Sequence, residues 1–175
     1  MKPACLFPLV ACLLVTPLSA AAEEADLQWP QWRGPRRDGQ LAGKPWPATL
    51  DRDTVAMQWR VELEGPSFSG PIIAGDRVFV TLTRGEKTEH VIALDRATGR
   101  KLWETSWEGA MQVVPIGASA GSWIRSTPAT DGTSLYVLGM RDVLVALDVA
   151  TGKEQWRLDF VKEYQSPVPD FGGVS

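Results

Sequence analysis

The stretch Val91–Trp103 reads V-I-A-L-D-R-A-T-G-R-K-L-W and the stretch Leu144–Trp156 reads L-V-A-L-D-V-A-T-G-K-E-Q-W, with seven of the thirteen positions identical. Asp95 and Asp148, Gly99 and Gly152, and Trp103 and Trp156 are each 53 residues apart, so the match holds in fixed register. A repeat of this length built from short β-rich runs cannot bury the faces of a single copy. The copies must stack on one another, which limits the chain to repeat architectures.

Within each copy, apolar runs of four to seven residues alternate with Gly, Pro, Asp and Ser clusters, the pattern of strands and turns. The first copy predicts strands at 69–73, 77–83, 90–94 and 101–105. The second predicts them at 126–130, 134–138, 143–147 and 154–158, with Val78-Phe79-Val80 answered by Leu135-Tyr136-Val137. The chain is therefore expected to be all-β, with about two four-stranded antiparallel units. Trp59–Leu63 has the composition of one further strand, a lone fourth strand belonging to another unit.

Pro71 and Pro128 are 57 residues apart, four more than the offset of the downstream half. This predicts a longer loop between the second and third strands of the first unit, around Arg84–Thr88. The linker from a tryptophan to the next Ser-x-Pro also varies, from 10 residues (Trp59 to Ser69) to 23 (Trp103 to Ser126). In a meander both connections emerge on one side, where loop-borne binding is expected.

Lys2 precedes an apolar run from Ala4 to Leu18 that exits through Ser19, Ala20, Ala21 and Ala22, the pattern of a secretory signal peptide over 1–22. An uncleaved anchor is the alternative. Leu9-Val10-Ala11-Cys12 has the outline of a lipobox, but the apolar run before Cys12 is short and Leu13-Leu14-Val15 would make an odd mature start. Cys5 and Cys12 both lie in this segment, so the mature chain is expected without disulfides or thiolate ligands. Removing Lys2 takes the formal charge from −3 to −4, which offers no basic field to a nucleic acid. The expected location is the periplasm or the exterior, with no transmembrane span in the mature chain.

Residues 23–58 form a Pro- and Trp-rich arm, with four prolines and the tryptophans Trp29, Trp32 and Trp46 before residue 51. Prolines keep such a segment from helix and large aromatics anchor it. Asp95 and Asp148 are turn residues rather than catalytic carboxylates: an Asp opening a tight turn accepts backbone N–H groups, and Gly99 or Gly152 closes it with positive φ. Trp103 and Trp156, four residues past those glycines, suit docking between units. Burying each contributes roughly 4 to 6 kcal/mol gross, from about 150–250 Å² at about 25 cal/mol/Å². That role predicts a larger stability loss from Trp156→Ala than from Trp46→Ala.

A-L-D-x-x-T-G-x-x-x-W, preceded by a Ser-x-Pro strand and a Val-Phe-Val or Leu-Tyr-Val strand, resembles the tryptophan-docking repeat of the pyrroloquinoline quinone (PQQ)-type β-propellers. The opening W-P-Q-W-R-G-P-x-R-D-G also looks like the start of exported bacterial members. The resemblance runs from about Trp29 to Trp156 and implies propeller blades at 69–107 and 126–160, a closing strand at 59–63 and the start of a next linker at 161–175. Two blades make an incomplete propeller, since propellers close with about four to eight. The chain is thus expected to be the N-terminal portion of a longer protein or a truncated product, prone to oligomerise through exposed strand edges.

The family includes quinoprotein dehydrogenases and propellers without quinone, among them the lipoprotein of the outer-membrane β-barrel assembly machinery. Quinoprotein alcohol dehydrogenases carry adjacent cysteines near the cofactor and Ca²⁺ held by Glu, Asn and Asp, whereas the mature sequence here has neither Cys nor Asn. No catalytic, cofactor-binding or metal-ligating residue is assigned; PQQ with Ca²⁺ would need a site outside these blades. His90, the single histidine, is read as a hairpin-edge residue. Trp123, Ile124 and Arg125, in the long linker, are the candidates for ligand contact, against a purely loop-ordering stack of Arg125 on Trp123. The expected role is a binding or assembly scaffold for a protein, small molecule or polymer on the variable side. A quinoprotein oxidoreductase and a carbohydrate- or polymer-binding propeller are the alternatives.

Overall fold

The computed structural model describes residues 28–41, 47–111 and 121–165. The signal-peptide segment 1–22, Cys5, Cys12, Trp46 and residues 166–175 lie outside them. The strands are β1 (Ile72–Ala74), β2 (Arg77–Arg84), β3 (Thr88–Asp95), β4 (Lys101–Glu108), β5 (Ala129–Thr130), β6 (Ser134–Leu138), β7 (Val143–Asp148) and β8 (Glu154–Asp159). They form two antiparallel four-stranded meanders, β1-β2-β3-β4 and β5-β6-β7-β8. A single short helix, α1 (Phe160–Tyr164), follows β8 among the described residues, with Asp159 as its N-cap accepting from Lys162 N.

The first strand of each unit is shorter than the sequence predicts, because Pro71 and Pro128 have no N–H to give to a ladder. The residues ahead of them bond elsewhere: Ser69 Oγ lies 2.5 Å from Thr81 Oγ1, and Gly70 N donates to Thr127 Oγ1 at 3.1 Å. The four extra residues of the first unit also sit differently from the expectation. The ladder runs from Arg77↔Asp95 to Arg84↔Thr88 in one unit and from Ser134↔Asp148 to Leu138↔Leu144 in the other. The first hairpin is therefore longer in its strands, while its turn at 85–87 stays tight.

One face of β1–β4 packs against one face of β5–β8. Ile72, Phe79, Val91 and Ala93 meet Leu135, Val137, Val145 and Leu147 in one buried cluster. Val78, Leu82, Ile92 and Leu94 on the opposite face of the first sheet form a second cluster, covered by Trp59. Burial along the strands records this difference. β6 alternates buried and half-buried residues, as a strand covered on one side must, whereas β2 is buried on both sides.

The repeated turns behave as turn chemistry requires. Asp95 Oδ1 accepts from Thr98 N and Oγ1 at 2.8 and 2.7 Å, and Asp148 Oδ1 accepts from Thr151 N and Oγ1 at the same distances. These bonds, from the threonine hydroxyl first and its amide second, hold both carboxyls below the usual aspartate range. Gly99 and Gly152 take φ of 73° and 69°.

Each of these glycines is also the seat of a tryptophan from the unit before. Trp103 Nε1 donates to Val149 O at 3.0 Å, and a Cβ on Gly152 would lie 2.4 Å from its ring. Trp59 Nε1 donates to Arg96 O at 2.8 Å, and a Cβ on Gly99 would lie 2.8 Å from that ring. A register shift opposite Ala93/Leu94 and again opposite Ala146/Leu147 leaves Leu102 and Gln155 as extra residues, each just before the tryptophan of its repeat. Such a bulge re-aims the residue beside it.

Two expectations change here. Residues 59–63 pair with no strand among the described residues; the segment is held by Trp59 packing and by Thr83 N donating to Pro66 O at 2.9 Å. Trp156 is 45% exposed and contacts Tyr136, so docking is carried by Trp59 and Trp103.

Candidate functional site

The connections that vary between units gather on one side. Gly109 N and Ala110 N, just past β4, both donate to Lys87 O in the β2–β3 turn at 3.2 Å. The Asp-x-x-Thr-Gly turns lie at the other end, where Arg96 N bonds Asp76 O and Val149 N bonds Thr133 O. On the variable side the segment preceding β5 meets the segment preceding β1 and the end of β2: Phe68 N donates to Ile124 O at 3.0 Å and Ile124 N to Thr83 Oγ1 at 2.9 Å.

This pairing sends Ile124 fully into the core and turns its neighbours outward. Trp123 lies 4.9 Å from Phe68, centroid to centroid, and the Arg125 guanidinium sits 5.1 Å above the same ring. Arg125 thus stacks on Phe68 rather than on Trp123, with Nη2 donating to Gly121 O at 2.9 Å. Gly121 has φ 70° and a Cβ there would lie 2.5 Å from the Trp123 ring, so the turn accommodates only glycine. Of the three sequence candidates, Trp123 and Arg125 reach this surface and Ile124 does not.

A hollow of about 490 Å³ opens beside Arg125, walled by Phe68, Leu138, Ser126, Thr127 and Trp32. A second, of about 520 Å³, continues on the other side of Trp32 and Thr127 against Trp29, Arg33, Gly70 and Ile73. The arm supplies Trp29, Trp32 and Arg33, and it is fixed at both inner strands. Trp29 and Ile73 exchange N–H···O bonds of 2.9 Å, Thr130 N donates to Pro30 O at 3.0 Å, and Gly75 N donates to Gln28 Oε1 at 2.6 Å. Phe68 and Trp32 were not singled out in the sequence. The 57-residue offset that relates Pro71 to Pro128 also relates Phe68 to Arg125, and that equivalence points to Phe68. Nothing local in the sequence marks Trp32 over Trp29.

The titratable groups elsewhere on this side are committed to the fold, except Asp142, whose Oδ1 is buried with no hydrogen-bond partner among the described residues. Glu89 is fully buried between the sheets, Oε1 accepting from Met140 N at 2.7 Å and Oε2 from Trp107 Nε1 at 2.8 Å. Burial raises its carboxyl above the ordinary range, against the pull of those two donors. Glu89 shares the alternation of Val91 and Ala93, which is the sequence signal for its inward position. Asp142, in the β6–β7 turn with φ 58°, is buried as well, and burial raises its carboxyl too.

His90 is buried in an ion network rather than lying on an edge. Nδ1 is 2.9 Å from Glu104 Oε1, Nε2 is 2.9 Å from Thr88 Oγ1, and Arg84 pairs with both Glu104 and Glu64. Burial alone would raise Glu104, yet hydrogen bonds from Lys101, His90 and Arg84 bring it down to about 2. The Glu, Asn and Asp set implied for a calcium–quinone site is not assembled here. The chain has no Asn, both oxygens of Glu89 are taken by N–H donors, and no group of three or more His, Cys, Asp or Glu comes together among the described residues. No helix among the described residues is long and apolar enough to cross a membrane.

Among curated proteins the chain is similar to the polyvinylalcohol dehydrogenase of Sphingopyxis sp. (strain 113P3), 30% identical over 143 residues, which is 79% of this chain and 20% of that one. It is 28% identical over 115 residues to an uncharacterized Rickettsia conorii protein, covering 63% of this chain and 27% of its length. Similar solved structures include BamB from Moraxella catarrhalis, with TM-score 0.48 and 28% identity over 62% of this chain and 29% of that one. The quinohemoprotein alcohol dehydrogenase of Comamonas testosteroni follows with TM-score 0.41 and 23% identity, covering 57% and 14%. The chain spans less than a third of each of these relatives. The family model described as outer membrane protein assembly factor BamB matches residues 43–114 and again 87–173. Matched over these ranges and built of two four-stranded meanders, the chain belongs to this family of PQQ-like propeller repeats.

Proposed function

We propose that the chain is an exported, non-catalytic binding or assembly scaffold, built from blades of a larger PQQ-like propeller, with its ligand site on the side of the β2–β3 turn and the 109–128 linker. One observation carries the reading: apart from Asp142, the side chains that catalysis would draw on already serve the fold. Asp95 and Asp148 close turns, Glu89 joins the sheets, and His90 is locked between Glu104 and Thr88. The side chains that line the hollows on this side are aromatic, aliphatic, hydroxyl-bearing and cationic, suited to contact rather than to proton transfer. The ligand is a protein, small molecule or polymer and not a nucleic acid, given the acidic net charge.

A second reading is favoured by the 30% identity to a polyvinylalcohol dehydrogenase. In it, these blades are part of a quinoprotein oxidoreductase whose PQQ and Ca²⁺ are held by other blades. The exposed Trp32 of the arm supports a third, binding of a carbohydrate or polymer chain. Calorimetric titration with PQQ and Ca²⁺, together with reduction of an electron-accepting dye in the presence of poly(vinyl alcohol) or a primary alcohol, separates the first two when made on the complete propeller that contains these blades. No heat and no dye reduction are expected. Tight quinone binding with alcohol-dependent reduction would replace the scaffold by the oxidoreductase. Export is checked by mass spectrometry of the mature N-terminus, expected near Glu23; a start at Cys12 would mean a lipoprotein.

A further inference from the structure

We infer that the paired hollows around Trp32 bind an acidic peptide segment of a partner protein, one that carries an aromatic or long aliphatic side chain between its carboxylates. The inference rests on the scaffold reading and specifies its ligand.

The charge of the walls argues for an anion. The chain as a whole carries −3, yet the charged residues lining the two hollows are Arg125 in one and Arg33 in the other, and no carboxylate lines either among the described residues. Arg125 is held ready. Its guanidinium is fixed over Phe68, one amino group is bonded to Gly121 O, and Nε is buried with no hydrogen-bond partner among the described residues. With Nη2 on Gly121 O and Nε buried, Nη1 is the nitrogen left to meet a carboxylate, in a charge-assisted hydrogen bond.

The rest of the wall selects a peptide over a neutral polyol. Phe68 and Trp32 are 50% and 66% exposed, and Leu138 closes the first hollow, so an apolar side chain gains burial there. A polyol also stacks on aromatic faces, but its hydroxyls need acceptors as well as donors, and the charged groups here only donate. Strand addition is disfavoured beside the hollows, since Pro71 and Pro128 offer no N–H and the arm already occupies Ile73 and Thr130. Recognition therefore falls to side chains, one carboxylate on each arginine and an apolar anchor beside Trp32.

The experiment uses the purified full chain and a fluorescein-labelled peptide of alternating aspartate and phenylalanine or leucine, read by anisotropy. Micromolar binding that weakens with salt is expected. Arg125→Gln and Arg33→Gln should each weaken it about tenfold, the worth of one charge-assisted pair. Arg33 is exposed, so its variant folds even if Arg125→Gln perturbs the linker. Arg157→Gln, which alters a cation paired with Glu154 on β8, should leave binding unchanged. Equal binding of a peptide with serine for aspartate, indifference to both arginine variants, or displacement by a neutral dextran oligosaccharide would overturn the assignment. Failure here, with the complete propeller inert toward PQQ and dye, overturns only the ligand of the hollows. Quinone-dependent dye reduction would overturn the scaffold itself.

Discussion

Gly152 does two things at once, and substitution separates them. It holds φ of 69°, and it leaves room for Trp103, whose ring lies 2.4 Å from where a Cβ would stand. Gly75 has φ of 58° with nothing within 4 Å of its Cβ position, so Gly75→Ala pays only the backbone cost of about 1 kcal/mol. Gly152→Ala must also displace Trp103 and should cost about 3 kcal/mol or more in urea unfolding. Equal losses in the two variants would remove the docking role. Two glutamates set opposite pH limbs. Glu104 has its folded pKa lowered from 4.5 to about 2, so the stability it contributes is present above pH 4.5 and lost as pH falls toward 2, at most about 3 kcal/mol. Glu89 is raised, so its contribution is complete below its unfolded pKa and fades as pH rises through the folded one. Unfolding free energies at pH 4 and pH 8 should show wild type losing ground to Glu89→Gln at the higher pH. A difference that does not vary with pH would mean that Glu89 is not strained by burial.

At the scale of elements, the arm is a fitted edge segment rather than a tail. Prolines and positive-φ residues keep it irregular, yet it satisfies the inner edge of both sheets through Ile73, Gly75 and Thr130. Deleting residues 28–41 should therefore raise hydrogen exchange at the Ile73 and Thr130 amides by about tenfold or more, while Phe79, within the β1–β2 ladder, stays protected. Unchanged protection at Ile73 would make the arm a bystander. Strand order and turn chemistry were legible in the repeat, because period-two alternation and Asp-x-x-Thr-Gly act locally. The longer first hairpin was legible as a length but not as strand, since both a loop and two lengthened strands add four residues. The hollows were legible only in part. Arg125 and Trp123 could be placed on the variable side, but Trp32 reaches them through a hydrogen-bonded arm about 100 residues away in sequence, a contact no local pattern encodes.

Across the whole molecule, the two sheets present unequal outer faces. The front of the first sheet is covered: Trp59 occupies the Gly99 turn and packs on Val78, Leu82, Ile92 and Leu94. Among the described residues nothing covers the back of the second, where Tyr136 and Trp156 take the positions that Phe79 and Trp103 hold beneath the neighbouring blade. Head-to-tail stacking of copies would require the open face of one to dock on the Gly99 turn of the next, which Trp59 already fills. Open face against open face meets no such obstacle and closes on itself, because a two-fold contact uses the same patch twice. The chain at high concentration should therefore stop at dimers in sedimentation velocity. Trp156→Glu should shift it to monomer with little change in melting temperature, since Trp156 supports no turn among the described residues. Trp59→Ala should do the reverse, freeing the Gly99 turn and allowing longer assemblies. Open-ended growth in the wild-type chain would show that Trp59 does not block the front face.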